Sequence, residues 1–294
     1  MFVSILKNTW QRTNSKEFFK WFFGSIGGVL ALLLAGKNFL GLDAVKSSIF
    51  GGYGFGGIYI VRFGYNGMKV TLEHFLAKYR DSIYGNAIIL LKDAFAKVHL
   101  IRKSKTTDPA IIVNTLVFMC NQLKIYFDKK TKQPCGVSIK IVIKSKTSLS
   151  SDTKLHNLCR DKSNTKRDTE TYKNIEHKIF NNSCFNHIFS HLTGNQKNKL
   201  FYINNDIEGS KDYQNTSKQA HEDGKLPYKS EIVVPIIPLS NETDREYNLF
   251  GFICVDSPQK NSFDDNYDLA ILQGVADGIY DIIQQWSQRK IQQQ

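Results

Sequence analysis

The 294-residue chain has only five cysteines, at positions 120, 135, 159, 184 and 254, and no Cys-x-x-Cys pair. An odd, scattered set of thiols argues against a disulfide framework and fits a reducing cytosol. Zinc-finger spacing, an RNA-binding signature and an Arg-rich arm are all missing, so no nucleic-acid partner is expected. The catalytic motifs are missing as well. His187 and His191 stand four apart on a predicted helix, but position 188 is Ile, so HExxH is absent and no third ligand is evident. No serine sits in a nucleophile-elbow pattern. Glu222-Asp223 and Asp264-Asp265 are adjacent carboxylates suited to loops and helix caps. No metal, no identified cofactor and no enzyme is the expectation from these absences.

Long hydrophobic runs are scarce too. Trp21–Gly36 is uncharged over 16 residues, slightly short of the roughly 20 that cross a bilayer as helix. Lys20 and Lys37 bound it and can snorkel to headgroups, and Trp21 suits the interface. Ser47–Val61 is a second uncharged, Gly-rich run closed by Arg62. Residues 1–65 therefore read as a two-helix transmembrane hairpin. Lys7, Arg12, Lys16 and Lys20 precede it and Arg62, Lys69, Lys78 and Arg80 follow, while Lys37 and Lys46 flank the loop. That bias predicts a multi-pass protein of the inner membrane with both termini in the cytoplasm. Gly24-x3-Gly28 and Gly52-x3-Gly56 are spacings that let helices approach closely in lipid. Gly52, Gly54 and Gly57 also match GxGxxG, but no strand precedes them and no βαβ unit follows, so a dinucleotide site is set aside.

Residues 66–105 carry one apolar stripe through Met68, Leu72, Phe75, Leu76, Tyr79, Ile83, Ala87, Leu91, Ala94, Val98 and Ile101. Steps of three and four predict a long connector helix, with Gly85 and Asn86 as points of interruption. Near-heptad spacing favours a dimer coil; packing on the chain's own domain is the alternative.

Charge is divided along the chain. Residues 1–105 carry 15 Lys/Arg against 5 Asp/Glu, 124–167 carry 12 against 3, and 168–294 carry 12 against 18. A basic first half beside an acidic second half points to an anionic lipid surface as partner.

Asp108-Pro109 marks a helix start. Amphipathic helix follows to Phe127. Gly136–Ile143 alternates as a strand with Lys140 on its solvent face, Lys154–Arg160 is a second strand, and helical sequence runs to Leu192. Lys199–Ile203, Ile232–Pro238 and Phe250–Asp256 are strands, and Asp264–Arg289 closes as a helix whose stripe Leu269, Leu272, Val275, Ile279 and Ile282 suits a dimer face. The order α-β-β-α-β-β-β-α resembles the GAF domain family. The resemblance covers 108–289 and rests on KSEIVVPI (Lys229–Ile236), GFICVDS (Gly251–Ser257), NNDI (Asn204–Ile207) and Phe263-Asp264-Asp265 with Leu269, Leu272, Val275 and Ala276. These are fold signatures, so they speak to architecture before function. The NKxnFxxxDE motif of nucleotide-binding relatives is imitated only out of order, by Lys260, Asn261, Phe263, Asp264 and Asp265.

The resemblance implies an α+β protein: the hairpin and connector helix, then a GAF-like antiparallel sheet with flanking helices over 106–294. It also implies a homodimer and a small ligand whose neighbours are Phe201, Asn205, Asp206, Tyr228, Ser230 and Cys254. Cys159 and Cys254 are expected on neighbouring strands, within reach of each other. The function expected is a membrane-anchored, cytosol-facing sensor in signal transduction, acting on a separately encoded partner. The alternative is a membrane-disrupting effector triggered through the same domain.

Overall fold

In the computed structural model, the described residues are 2–13, 34, 43–104, 108–142, 153–163, 175–194, 200–221, 223–237 and 249–292. The chain divides into two compact units, Met1–Ser82 and Ile83–Gln294.

In the first unit, helix α1 (Phe2–Thr13) lies along helix α2 (Ala44–Ser104), which continues into the second unit. Thr9 is buried and its methyl would lie 3.6 Å from a Cβ placed on Gly67. Arg12 grips Glu73 with both terminal nitrogens, at 3.1 and 2.7 Å. Each partner is about half exposed, so solvent screens the pair and it contributes little to stability. The first predicted run, Trp21–Gly36, falls outside the described residues apart from Leu34. The second run, Ser47–Val61, and the connector are one uninterrupted helix, and Gly85 and Asn86 sit inside it. Ile60, Val61, Tyr65, Met68, Leu72, Phe75, Leu76 and Tyr79 are exposed along the helix.

From Ile83 onward the connector stripe has a partner within its own domain. Ala87, Leu91, Ala94, Val98 and Ile101 are buried in the main core, so over these turns self-packing replaces the predicted dimer coil. Tyr84 stacks on Tyr267 at 4.5 Å, and Arg102 donates to the Gly278 carbonyl at 2.6 Å. A Cβ on Gly278 would collide with the Phe95 ring.

Helix α3 (Pro109–Thr131) starts where the Asp-Pro pair predicts, with Asp108 Oδ1 accepting from the Ala110 amide at 2.8 Å. It ends at Lys132 in the left-handed region, φ 57°. Among the described residues α3 alone is long and apolar enough to cross a membrane. Eight of its side chains, from Ile112 to Phe127, are buried, so its apolar character is accounted for by the core.

Strands β1 (Gly136–Val142), β2 (Lys154–Arg160), β3 (His177–Lys178), β4 (Tyr202–Asn204), β5 (Ser230–Ile236) and β6 (Gly251–Ser257) form one antiparallel sheet in the order β3-β2-β1-β6-β5-β4. Helix α4 (Ser183–Thr193) lies between β3 and β4 in sequence, and α5 (Tyr267–Gln292) closes the chain. Period-two alternation sends Val137, Ile139, Ile141, Ile232, Val234, Ile236, Ile253 and Val255 into the core shared with α2, α3 and α5. The apolar stripe of α5 points there too. Leu272, Ile279 and Ile282 are fully buried, so this face packs on the chain's own sheet instead of forming a free dimer surface.

The opposite sheet face is covered as well. Val142, Leu155, Val233 and Phe252 pack with Cys184, Phe185, Ile188 and Leu192 of α4. Burial on both faces makes β5 buried at all seven positions, the pattern of a two-sided strand. Lys140, predicted to face solvent, is therefore only partly exposed beneath this second layer. The two-residue β3 lies within sequence predicted as helix; it is too short for any periodicity to reveal it.

Candidate functional site

Register fixes which side chains share the covered face. Ser138 of β1 pairs with Arg160 of β2 and with Cys254 of β6, and Cys254 pairs with Val233 of β5. One row along, Gly136 pairs with Asp256, which pairs with Glu231, which pairs with Asn204. On the other side lie Asn157 and Lys140. Between this face, α4 and the chain around 215–228 is a cavity of about 880 Å³, within the size range of small-molecule sites.

The cavity is electrically divided. Lys140, His156, Arg160 and His177 line it from β1, β2 and β3, while Glu231 and Asp256 line it from β5 and β6; Leu155, Phe185 and Val233 supply apolar wall. Burial pulls the His177 imidazole down to about 3, helped by Lys140, Arg160 and His156, so it is neutral at physiological pH. Its Nδ1 lies 2.6 Å from the Thr216 hydroxyl.

Glu231 is the least comfortable residue here. It is 5% exposed, and its Oε1 is buried with no hydrogen-bond partner among the described residues. Burial pushes its pKa up to about 8; Asp256 adds to the rise, and Tyr213 and Lys140 oppose it. A buried carboxyl that keeps its proton at neutral pH avoids the larger penalty of an isolated charge.

The residues expected at the site are only partly brought together. Tyr228 and Cys254 line the cavity. The Asn215 amide donates to the Tyr228 and Tyr213 hydroxyls, 2.9 Å each. Phe201 packs against the helix-side core. Asn205 is engaged with the Phe263 backbone, donating to its carbonyl at 2.8 Å and accepting from its amide at 3.0 Å. Asp206 is exposed, paired with Lys260 at 2.7 Å and capping the Gly209 turn at 3.0 Å. Ser230 is buried, donating to the Gln259 carbonyl at 2.7 Å. Asn205, Asp206 and Ser230 thus serve the turns at the end of the sheet.

Cys159 and Cys254 do not approach each other. Strand β1 lies between them, and Cys159 pairs with Ile139 while Cys254 pairs with Ser138. The Cys159 sulfur instead sits 4.0 Å from that of Cys120 on α3. His191 Nδ1 faces the His187 carbonyl at 2.8 Å. Among the described residues no three His, Cys, Asp or Glu side chains come together as a metal site.

Sequence reading missed Glu231, Lys140, Arg160 and His177. For Glu231 a signal was present: one carboxylate inside an otherwise apolar strand, SEIVVPI.

No protein-family model and no curated protein matches the chain. It is similar to several solved structures. A protein described as a GAF sensor from Burkholderia vietnamiensis shares 13% identity, with 70% of this chain and 98% of that one covered, at a TM-score of 0.43. A structure described as the GAF domain shares 15%, covering 59% and 88%, at 0.36. The type II free methionine-R-sulfoxide reductase of Thermoplasma acidophilum shares 18%, covering 60% and 96%, at 0.38. At such identities the likeness concerns fold alone. The expectation that the chain is no enzyme is withdrawn: reductases stand among the similar structures beside sensors, and a likeness of fold does not choose between them. The antiparallel six-stranded sheet with helices packed against it is an α+β domain, and its arrangement is similar to that of the GAF structures.

Proposed function

We propose that the chain is a membrane-anchored, cytosol-facing sensory protein whose GAF-like domain binds a small molecule in the cavity and works as a homodimer with a separate signalling partner. The observation that carries this reading is the cavity, about 880 Å³ of mixed polar and apolar lining between the sheet, α4 and the chain around 215–228. Tyr228 and Cys254 remain in the proposed ligand shell, joined by Lys140, Arg160, His177 and Glu231. Support for the anchor comes from the uncharged runs with their basic flanks. The exposed apolar side chains between Ile60 and Tyr79 supply a surface that lipid or a second copy would cover.

The test uses the full chain. Membranes from expressing cells are extracted with alkaline carbonate, and protein from the pellet is taken into mild detergent for native mass spectrometry. The expected result is a dimer carrying a small-molecule adduct, which Ser217→Trp, a bulky change in the cavity wall, removes. Protein in the carbonate supernatant overturns the anchor, monomers overturn the dimer, and a bare particle overturns the ligand.

A further inference from the structure

The Glu231 oxygen without a donor points to the chemistry of the ligand, given the sensory reading above. Antiparallel register sets Glu231 of β5 opposite Asp256 of β6, with Gly136 of β1 as the next position in that row. Both carboxyls line the cavity. Buried polar groups in a finished fold are nearly all hydrogen-bonded, yet among the described residues no donor reaches Glu231 Oε1 while 95% of the residue is shielded from solvent. A group entering the cavity is what would supply the missing donor.

Two classes of entrant fit poorly. An anion would be held at the Lys140 and Arg160 wall and brings no N–H donor to Glu231 Oε1. A divalent metal ion needs about six oxygen ligands or a tighter set of nitrogen and sulfur donors. Two carboxyls with Lys140 beside them do not provide that. We infer that the cavity takes a small organic cation, a molecule carrying a protonated amine or guanidinium, whose N–H groups bond Glu231 Oε1 and whose charge is balanced by Glu231 and Asp256. Apolar contact with Val233 and Phe185 would bury the rest of such a molecule.

This assignment has a proton signature. The titratable groups facing Glu231 are Lys140 on β1, Tyr202 on β4, Cys254 and Asp256 on β6, Cys184 on α4, and Tyr213. Glu231 is mostly protonated at neutral pH, since burial raises it to about 8. A cation bound against it favours the carboxylate, so binding expels a proton.

The experiment is calorimetric titration of the full-length protein in detergent with butylammonium, butylguanidinium and diaminobutane chlorides. Butanol, sodium butyrate and calcium chloride are the controls. Each titration is run in two buffers of different ionisation enthalpy. The expected result is saturable binding of at least one organic cation, with close to one proton released at about pH 7 and almost none at about pH 9.5. Glu231→Gln should lose the proton release and weaken binding about tenfold or more, and Glu231→Asp should restore part of both. Binding of butanol or butyrate that Glu231→Gln leaves unchanged and Ser217→Trp abolishes overturns the cation and leaves the sensory reading standing. Binding of calcium alone, with proton release, overturns it in favour of a metal site. No heat from any probe also overturns it, and the adduct test then decides the sensory reading separately.

Discussion

Tyr126 on α3 donates its hydroxyl to Asp268 on α5 across 2.9 Å, joining two helices through residues 142 apart in sequence. The other carboxylate oxygen takes Lys130 Nζ and the Asp264 amide, the latter at 2.8 Å. Asp268 is fully buried, so its charge is tolerated only because every partner is in place. Asp268→Ala would leave the Lys130 ammonium, itself mostly shielded, without its counter-charge. Breaking a buried pair this way costs about 3–5 kcal/mol. Thermal melts followed by circular dichroism should show a large fall in Tm for Asp268→Ala and a smaller one for Asp268→Asn, which keeps an acceptor for Tyr126. Equal melts for the variant and the native protein would mean that the contact holds nothing together.

Leu272 tests the placement of the α5 stripe. It is fully exposed to neither solvent nor a second chain, being 0% accessible in the core with Val275, Ile279 and Ile282. Leu272→Ala should cost about 2–5 kcal/mol through lost contacts and a cavity, and Leu272→Asp should unfold the domain. Light scattering with circular dichroism separates this from an interface role, because a folded monomer from Leu272→Asp would return the stripe to the dimer reading.

The strands were legible in the sequence because alternation and β-branched residues mark them. KSEIVVPI and GFICVDS became β5 and β6 within two residues of the expected bounds. The order of strands across the sheet was not legible, since pairing is set by contacts distant in sequence. That is why the sequence suggests Cys159 and Cys254 as neighbours although β1 separates them. The same gap hid the site. A one-sided sheet would leave Lys140 in water and make Glu231 an oddity, whereas a layer on the second face turns both into cavity wall. Asn205, Asp206 and Ser230 were polar and close to the strand ends, which is equally what turn-forming residues look like.

Glu231 and His177 give the domain opposing pH dependences. Glu231 holds its proton up to about 8 in the fold against its ordinary value of 4.5. The native state therefore binds more protons than the unfolded one between those values. Its contribution is fully present below about pH 4.5 and falls as pH rises toward 8, by up to about 1.4 kcal/mol per pH unit. His177 runs the other way. Its folded value near 3 lies below the ordinary 6.5, so its contribution is complete above pH 6.5 and is lost as pH falls toward 3. Denaturant unfolding at several pH values between 5 and 8 should show native protein losing stability relative to Glu231→Gln as pH rises. Parallel curves would place Glu231 in a more hydrated setting than the structure gives it.

The last prediction concerns the thiols. Burial pushes Cys254 up to about 12, with Lys140 opposing and Glu231 and Asp256 adding to the rise. Burial also carries Cys135 to about 11 and Cys184 well above its ordinary value. Cys120 is raised as well, first through its contact with Cys159 and then by burial. The thiolate is the nucleophile, and at about pH 8 a thiol of pKa near 12 is ionised about one part in ten thousand, against roughly a quarter for a free cysteine. Iodoacetamide applied to the native full-length protein at that pH, with each cysteine followed by peptide mass spectrometry, should label Cys254 far more slowly than in urea-unfolded protein. Adding the cationic probe that binds should slow Cys254 further, because Cys254 shares the cavity with Glu231. Rapid native labelling of Cys254 would instead mark an activated thiolate, and with it a catalytic use of the cavity.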